Sequence, residues 1–241
     1  WILLHWASII FNIDIYMLNE IILINKPLKW TSFDVVKKVR STIKKKIKVK
    51  KIKVGHAGTL DPLASGLLIL CVGNTTKTIS GIQNLNKKYL AKVKLGFVTE
   101  SFDREKREIK KSDIKNLKKN DILNLKKLFL GEILQTPPKY SAIKIDGVRS
   151  YQKMRNNQKD FEIPKRKVHI YSFNIKNIML PYITIEVVCS KGTYIRSLAN
   201  DIGIALGCGA YLFDLCRLSI GEYKLEDALS MNEFESKYEF N

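Results

Sequence analysis

Apolar and polar residues along the chain follow two different periods, and the change of period marks the elements. Residues 20–25 (EIILIN) form a short apolar run that stops at Lys26-Pro27 and predict a buried strand. Thr31-Ser32 then offers an N-cap. Behind it Phe33, Val36, Val39 or Arg40, and Ile43 recur at helical spacing, so a helix with these residues on its inner face is expected. The unbroken run 67–72 predicts a second buried strand. From residue 88 to 97 the period drops to two: Tyr89, Ala91, Val93, Leu95 and Phe97 share one side, with Lys92 and Lys94 on the other, as in a half-buried strand.

Residues 100–120 read as a polar, highly charged connection, after which Asp121 is expected to cap a short helix carrying Ile122, Leu125, Leu128 and Phe129, closed by Gly131. Pro137-Pro138-Lys139-Tyr140 breaks the pattern, and residues 141–148 predict a hairpin about Asp146-Gly147. A short basic helix at 150–156, strands at 167–178 and 182–189, a helix bearing Ile195, Leu198, Ile202 and Leu206, and a last strand reaching 218–220 complete the series. There is no internal repeat and no regular strand–helix–strand beat. The class expected is α+β with a largely antiparallel sheet.

The 241 residues carry a formal charge of +19, with 34 Lys and 8 Arg, which points to a polyanionic partner. A lysine-rich genome would give the same balance, so the few arginines, better suited to bidentate contacts, are the more pointed candidates. Cys71, Cys189, Cys208 and Cys216 form no CxxC pair and are expected as reduced core residues of a cytosolic protein. His5, His56 and His169 lie too far apart for an HExxH zinc site, and no Walker loop or dinucleotide fingerprint occurs, so no metal and no nucleotide cofactor are expected. Residues 1–17 are apolar but have no basic start, include Asp14 and show no small-residue cleavage site. They are expected to be a peripheral extension rather than a signal peptide or membrane span, with Met17 as an alternative start.

Two segments carry candidate chemistry. The first is Val54-Gly55-His56-Ala57-Gly58-Thr59-Leu60-Asp61-Pro62-Leu63-Ala64-Ser65-Gly66, which sets one carboxylate, Asp61, in a glycine-punctuated loop directly before a buried strand. On the residues alone this is either an Asp-Pro turn or a carboxylate framed as nucleophile or base. The second is the run at 44–53, with Lys44, Lys45, Lys46, Lys48, Lys50, Lys51 and Lys53 immediately ahead of that loop, either a solvated face or an RNA contact.

From about residue 20 to 233 the chain resembles the TruB family of tRNA pseudouridine synthases. Ile24-Asn25-Lys26-Pro27 with Trp30-Thr31-Ser32 is similar to the family's opening segment, the Asp61 loop to its catalytic motif, and Lys88-Tyr89 to its (K/R)Y motif. Pro137 to Ala142 (PPKYSA), Cys189 to Arg196 (CSKGTYIR), Gly207-Cys208-Gly209-Ala210 and Leu215-Cys216-Arg217-Leu218 continue the match in order. The form LDPLASG resembles the bacterial branch acting on tRNA alone rather than the guide-RNA-dependent relatives.

The resemblance implies a cofactor-free isomerase acting on the T-loop uridine (position 55) of tRNA, with Asp61 as nucleophile. Tyr89 would stack on the flipped base and take part in proton transfer, Tyr194 would line the same pocket, and Arg196 would pair with Asp61. His56 would wedge into the RNA stack and Leu215 would pack on the base, or serve as plain core. Lys26 and Arg217 would touch the substrate, Lys26 standing equally as simple solvated charge. The implied organisation is one catalytic domain over 18–241, with 103–165 as a charged connection and RNA-contacting insertion. No PUA domain like that of the relatives is expected after this region, and Cys216 stands where relatives often place a second basic residue. The expected partner is the T arm of tRNA, with no membrane, and a monomer as the working state. A protein that binds or folds tRNA without catalysis, using the same surface, is the competing reading.

Overall fold

In the computed structural model, residues 19–158 and 160–239 are described; the expected extension at 1–17 lies outside them. In chain order the elements are β1 (Ile21–Lys26), α1 (Ser32–Lys46), β2 (Val54–His56), β3 (Ala64–Val72), α2 (Ile79–Asn84), β4 (Lys87–Leu95), β5 (Phe97–Val98) and β6 (Ile109–Lys110). There follow α3 (Lys119–Phe129), β7 (Gly131–Gln135), β8 (Lys144–Ile145), β9 (Val148–Arg149), α4 (Ser150–Arg155), β10 (Arg166–Met179) and β11 (Tyr182–Cys189). The chain closes with α5 (Ile195–Ala205), β12 (Ala210–Ile220), β13 (Tyr223–Lys224) and α6 (Met231–Glu239). It divides into two compact units, one built from the chain up to Leu85 and again from Cys216, the other from the continuous stretch Asn86–Leu215.

In the first unit β3 is the central strand. It pairs antiparallel with β1 (Ile24 opposite Leu68) and with β2 (His56 opposite Leu70). Leu68, Leu70 and Val72 pack on one face with Val35, Val36, Val39 and Ile43 of α1 and with Phe234 and Tyr238 of α6, while Leu67, Ile69 and Cys71 pack on the other with Ile82 and Ile220. Burial on both faces is why this strand reads as a continuous apolar run instead of an alternation.

Helix α1 starts where expected. Thr31 caps it, its Oγ1 accepting from the Asp34 amide at 3.0 Å while Asp34 accepts from the Thr31 amide at 3.0 Å, a reciprocal capping box. Its inner face differs from the expected one. Val35 joins Val36, Val39, Thr42 and Ile43 inside, and Phe33 is 54% exposed, with the Lys37 ammonium 4.9 Å from its ring centroid. A stripe centred on 35, 39 and 42 leaves position 33 on the far side of the first turn.

The second unit has β4, β11, β10 and β7 side by side, all antiparallel, with Tyr89 opposite Val187, Ile185 opposite Ile175 and Val168 opposite Ile133. The period-two strand holds as far as Leu95; Gly96 turns the chain with positive φ and Phe97 starts β5. The hairpin β8–β9 turns through Asp146 (φ 52°) and Gly147 (φ 80°), the pair of left-handed residues that a two-residue hairpin demands. Asp121 is not the N-cap of α3. Lys118 holds that position and Asp121 is the third helical residue, accepting from the Lys118 amide at 3.2 Å. The last strand is also much longer than expected, Ala210–Ile220, because polar Asp214 and Arg217 interrupt its apolar pattern. The architecture is α+β with mainly antiparallel strand pairing.

Among the described residues no helix is long and apolar enough to cross a membrane, and no group of three His, Cys, Asp or Glu side chains could hold a metal ion. All four cysteines are free thiols, and burial pushes Cys189 up to about 11.

Candidate active site

Asp61 lies half-buried in the loop between β2 and β3, and the loop is fixed on both sides of it. The Ser32 hydroxyl, at the start of α1, accepts from the Leu60 amide at 2.9 Å and donates to the Leu60 carbonyl at 3.1 Å. On the other side of the acid, the Lys29 amide donates to the Pro62 carbonyl at 2.7 Å and the Ala64 amide closes a turn onto the Asp61 carbonyl at 3.0 Å.

Arg217, at 1% exposure, spans both ends of the loop. Its Nε donates to the Leu67 carbonyl at 2.8 Å, one Nη to the Gly58 carbonyl at 2.9 Å, and the other to the Thr59 carbonyl at 3.4 Å. A guanidinium suits this task because its donors diverge in one rigid plane. Gly66 (φ +103°) allows the close approach: a Cβ there would lie 2.4 Å from the Arg217 carbonyl oxygen.

Lys26 is fully buried and donates to the carbonyls of Trp30 at 2.6 Å and Pro27 at 3.0 Å. Burial pushes it down to about 8; the negative charge of Asp61 opposes that shift, and the positive charge of Arg217 adds to it. Acid, lysine and arginine thus share one electrostatic environment in which the carboxylate is the balancing charge. His56, on β2, is likewise lowered by burial and then by Arg217, which favours the neutral ring. Its Nδ1 is buried with no hydrogen-bond partner.

The second unit gathers a different set. Tyr89 is buried on β4 and Leu215 is half-buried on β12. Tyr194 precedes α5, and the fully buried Gln135 holds its backbone at both ends: the Tyr194 amide donates to Oε1 at 2.7 Å and Nε2 donates to the Tyr194 carbonyl at 3.0 Å. The Arg166 guanidinium lies 5.6 Å from the Tyr194 ring centroid.

Arg196, in the first turn of α5, is buried. It forms an ion pair with Asp103 at 3.5 Å and donates to the Tyr140 carbonyl at 3.0 Å and the Ser101 carbonyl at 3.4 Å. Asp103 in turn accepts from the Ser101 hydroxyl at 2.6 Å and the Glu105 amide at 2.9 Å.

The structure therefore brings Asp61, Lys26 and Arg217 into one environment in the first unit, with His56 beside Arg217. In the second unit it brings Tyr194 and Arg196 to the start of one helix. Lys26 and Arg217, expected as substrate contacts, are enclosed and bound to backbone carbonyls. Sequence reasoning missed Ser32, Gln135 and Asp103. Ser32 was visible as part of a cap pair, but its reach across to Leu60 had no local signal. Asp103 sat in a stretch whose charge resembled a solvated connection.

Fold and framed acid together define a protein of the pseudouridine-synthase class. The backbone superimposes on a solved Cbf5–Nop10–Gar1 complex with a TM-score of 0.70 at 27% identity, over 95% of this chain and 59% of that one. The N-terminal domain model of the TruB family of pseudouridylate synthases matches residues 44–195, and that of the tRNA pseudouridylate synthase B C-terminal domain matches 196–241. The chain belongs to the TruB family. It is 46% identical to the tRNA pseudouridine synthase B of Parabacteroides distasonis, over 94% of this chain and 96% of that protein. It is 45% identical to that of Flavobacterium johnsoniae, over 91% and 96%.

Proposed function

We propose that this chain isomerises the T-loop uridine of tRNA, at position 55, to pseudouridine, with Asp61 as nucleophile. The observation that carries the reading is the clamped loop: hydrogen bonds at Gly58, Thr59, Leu60, Pro62 and Leu67 fix the backbone around one carboxylate. A residue that only turned the chain would not need this frame, whereas a nucleophile gains rate from a fixed line of attack. The relatives' shared name, tRNA pseudouridine synthase B, supplies the substrate class.

In the proposed reaction the Asp61 carboxylate attacks the sugar of the target nucleotide at C1′, the glycosidic bond from C1′ to N1 breaks and the uracil turns. C5 then displaces the carboxylate from C1′, and the bond from C1′ to C5 forms as the C5 proton leaves and N1 is protonated. Bonds and protons balance, with no net oxidation. Tyr89 and Tyr194 are the proposed surfaces for the extruded base, Tyr89 also serving in the proton transfer, since aromatic planes hold unstacked bases irrespective of sequence. Arg196 is the proposed partner of Asp61, His56 the ring that fills the gap in the RNA stack, and Leu215 an apolar contact. Lys26 and Arg217 act in this reading through the loop they hold. The monomer acting on the T arm, in the cytosol, belongs to the same proposal.

The test is to incubate the full chain with an unmodified tRNA transcript and map pseudouridine along it. A single modified position in the T loop is expected. Tight binding without any pseudouridine would establish the competing reading, a tRNA-binding protein without catalysis.

A further inference from the structure

The loop between β1 and α1 holds a lysine in a conformation that favours glycine. Residues Pro27 to Trp30 form a tight turn, the Trp30 amide donating to the Pro27 carbonyl at 3.4 Å, and its third residue, Lys29, has φ +70°. Glycine ordinarily meets a positive φ at that position, because a Cβ there crowds the backbone. The turn is fixed from both sides. Within it, the buried Lys26 ammonium donates to the carbonyls of Pro27 and Trp30, at 3.0 and 2.6 Å. Outside it, the Lys29 amide donates at 2.7 Å to the carbonyl of Pro62, the residue after Asp61. None of these bonds uses the Lys29 side chain, which is exposed and has no acidic partner among the described residues. Leu28 beside it is 43% exposed and Pro62 is exposed as well, so this rim of the Asp61 loop is open to solvent. Glycine would satisfy the turn with less strain. Strained residues concentrate at functional sites and ligand clamps, and this one is a cation tied by a single hydrogen bond to the loop of the acid.

We propose that Lys29 binds a backbone phosphate of the RNA directly beside the nucleotide that Asp61 attacks. The bond from its amide to Pro62 sets its Cα against the loop of the acid, so the anion within its reach is the phosphate flanking the reactive sugar. A lysine suits a lone phosphate oxygen, since its ammonium is a compact charge on a flexible stem and needs no planar fork. The left-handed backbone gives that stem a fixed origin. The inference rests on the reading that this chain acts on tRNA, but it is decided by binding alone.

The experiment compares the full chain with Lys29→Gln, Lys29→Arg and Lys29→Gly. Each is titrated, across a salt series, with a T-arm stem-loop RNA carrying normal phosphates or one uncharged methylphosphonate on the 5′ or the 3′ side of the target uridine. Lys29→Gln keeps the strained backbone and removes the charge. It should bind about tenfold more weakly and lower the slope of log affinity against log salt by roughly 0.7–0.9. Lys29→Arg should bind like the parent. One of the two methylphosphonates should weaken the parent to the same degree and leave Lys29→Gln unaffected, because the two changes remove one shared contact. Lys29→Gly should bind as weakly as Lys29→Gln yet melt no lower than the parent, since relief of the strained turn offsets the added freedom of the unfolded chain. Parental affinity in Lys29→Gln, losses that add at both methylphosphonate positions, or a Gly variant that melts below the parent would each overturn the inference. A parent that binds the stem-loop and forms no pseudouridine would defeat the catalytic reading and leave Lys29 to be judged on affinity.

Discussion

The hydroxyl of Ser32 holds Leu60 by both polar groups of its backbone, accepting from the amide at 2.9 Å and donating to the carbonyl at 3.1 Å. The first residue of α1 thereby sets the position of the residue directly before Asp61. Twenty-eight residues separate the two partners in the chain, so the geometry of the acid depends on how α1 is seated against β3.

Replacing Ser32 with Ala should leave the buried amide and carbonyl of Leu60 unsatisfied, at a cost of about 1–3 kcal/mol in stability. The loop would also lose a fixed point next to the proposed nucleophile, and a displacement of about an ångström there can lower the rate on the order of a hundredfold. Thermal denaturation and single-turnover kinetics read the two effects separately. A variant that melts earlier but works at the parental rate would show that Ser32 stabilises the fold without positioning Asp61.

Arg217→Lys keeps the charge but cannot reach the carbonyls of Gly58, Thr59 and Leu67 from one planar group. Breaking a buried charged network of this kind costs about 3 kcal/mol. The expected outcome is lower stability and a slower single-turnover rate, with tRNA affinity little changed. Weaker tRNA binding at unchanged stability would return Arg217 to the role of a phosphate contact.

Asp61→Asn retains the size of the side chain and removes the proposed nucleophile. Product should be abolished while tRNA binding persists, since binding draws on contacts spread along the RNA backbone. Substantial isomerisation by this variant would take Asp61 out of the mechanism.

Lys26 gives a pH dependence with a definite sign. Its folded-state pKa is pushed down to about 8 from 10.5, so between these values the unfolded chain binds more protons and stability rises with pH. Below pH 8 the full penalty of burying the charged ammonium is present; above 10.5 it is relieved. Relative to Lys26→Met, the parent should gain on the order of 3 kcal/mol across this window. Parallel stability curves for the two proteins from pH 7.5 to 10.5 would show that Lys26 titrates as an ordinary lysine.

Lys48, Lys50, Lys51 and Lys53 are exposed in the segment between α1 and β2. If they neutralise phosphates, each should contribute roughly 0.7–0.9 to the slope of log affinity against log salt. Changing Lys48, Lys50 and Lys51 to Gln should flatten that slope by about two. An unaltered slope would make the run a solvated face.

The elements most legible in the sequence were those whose pattern is set locally. The hairpin at Asp146-Gly147 needs two residues tolerant of positive φ, and the strand from Lys87 alternates because one of its faces is covered. Helix α6 was missed although its signals were present: Ser230 and Glu233 form a reciprocal cap, and Phe234 and Tyr238 are one turn apart and stacked at 4.6 Å. The site divides in the same way. The glycine and proline frame singles out Asp61 but suits an Asp-Pro turn as well, and only the resemblance to the TruB family implies a nucleophile there. Arg217 and Lys26 were visible as charged residues in motifs, but their burial depends on which carbonyls the fold leaves open, and sequence spacing carries no such information. Asp103 was hidden because its neighbours, Arg104, Glu105, Lys106 and Arg107, are those of a solvated loop.

The division of the chain into an outer unit and a continuous inserted one bears on synthesis. Residues 86–215 emerge from the ribosome in one piece, and β4, β11, β10 and β7 pair with one another inside that stretch. The outer unit must wait. Its first strands lack Phe234 and Tyr238 of α6 until those residues are made, and the loop around Asp61 lacks its guanidinium until Arg217 appears, 156 residues after the acid. A nascent chain therefore carries Asp61 long before it can hold that carboxylate still, and the loop gains its clamp only once residue 217 has emerged.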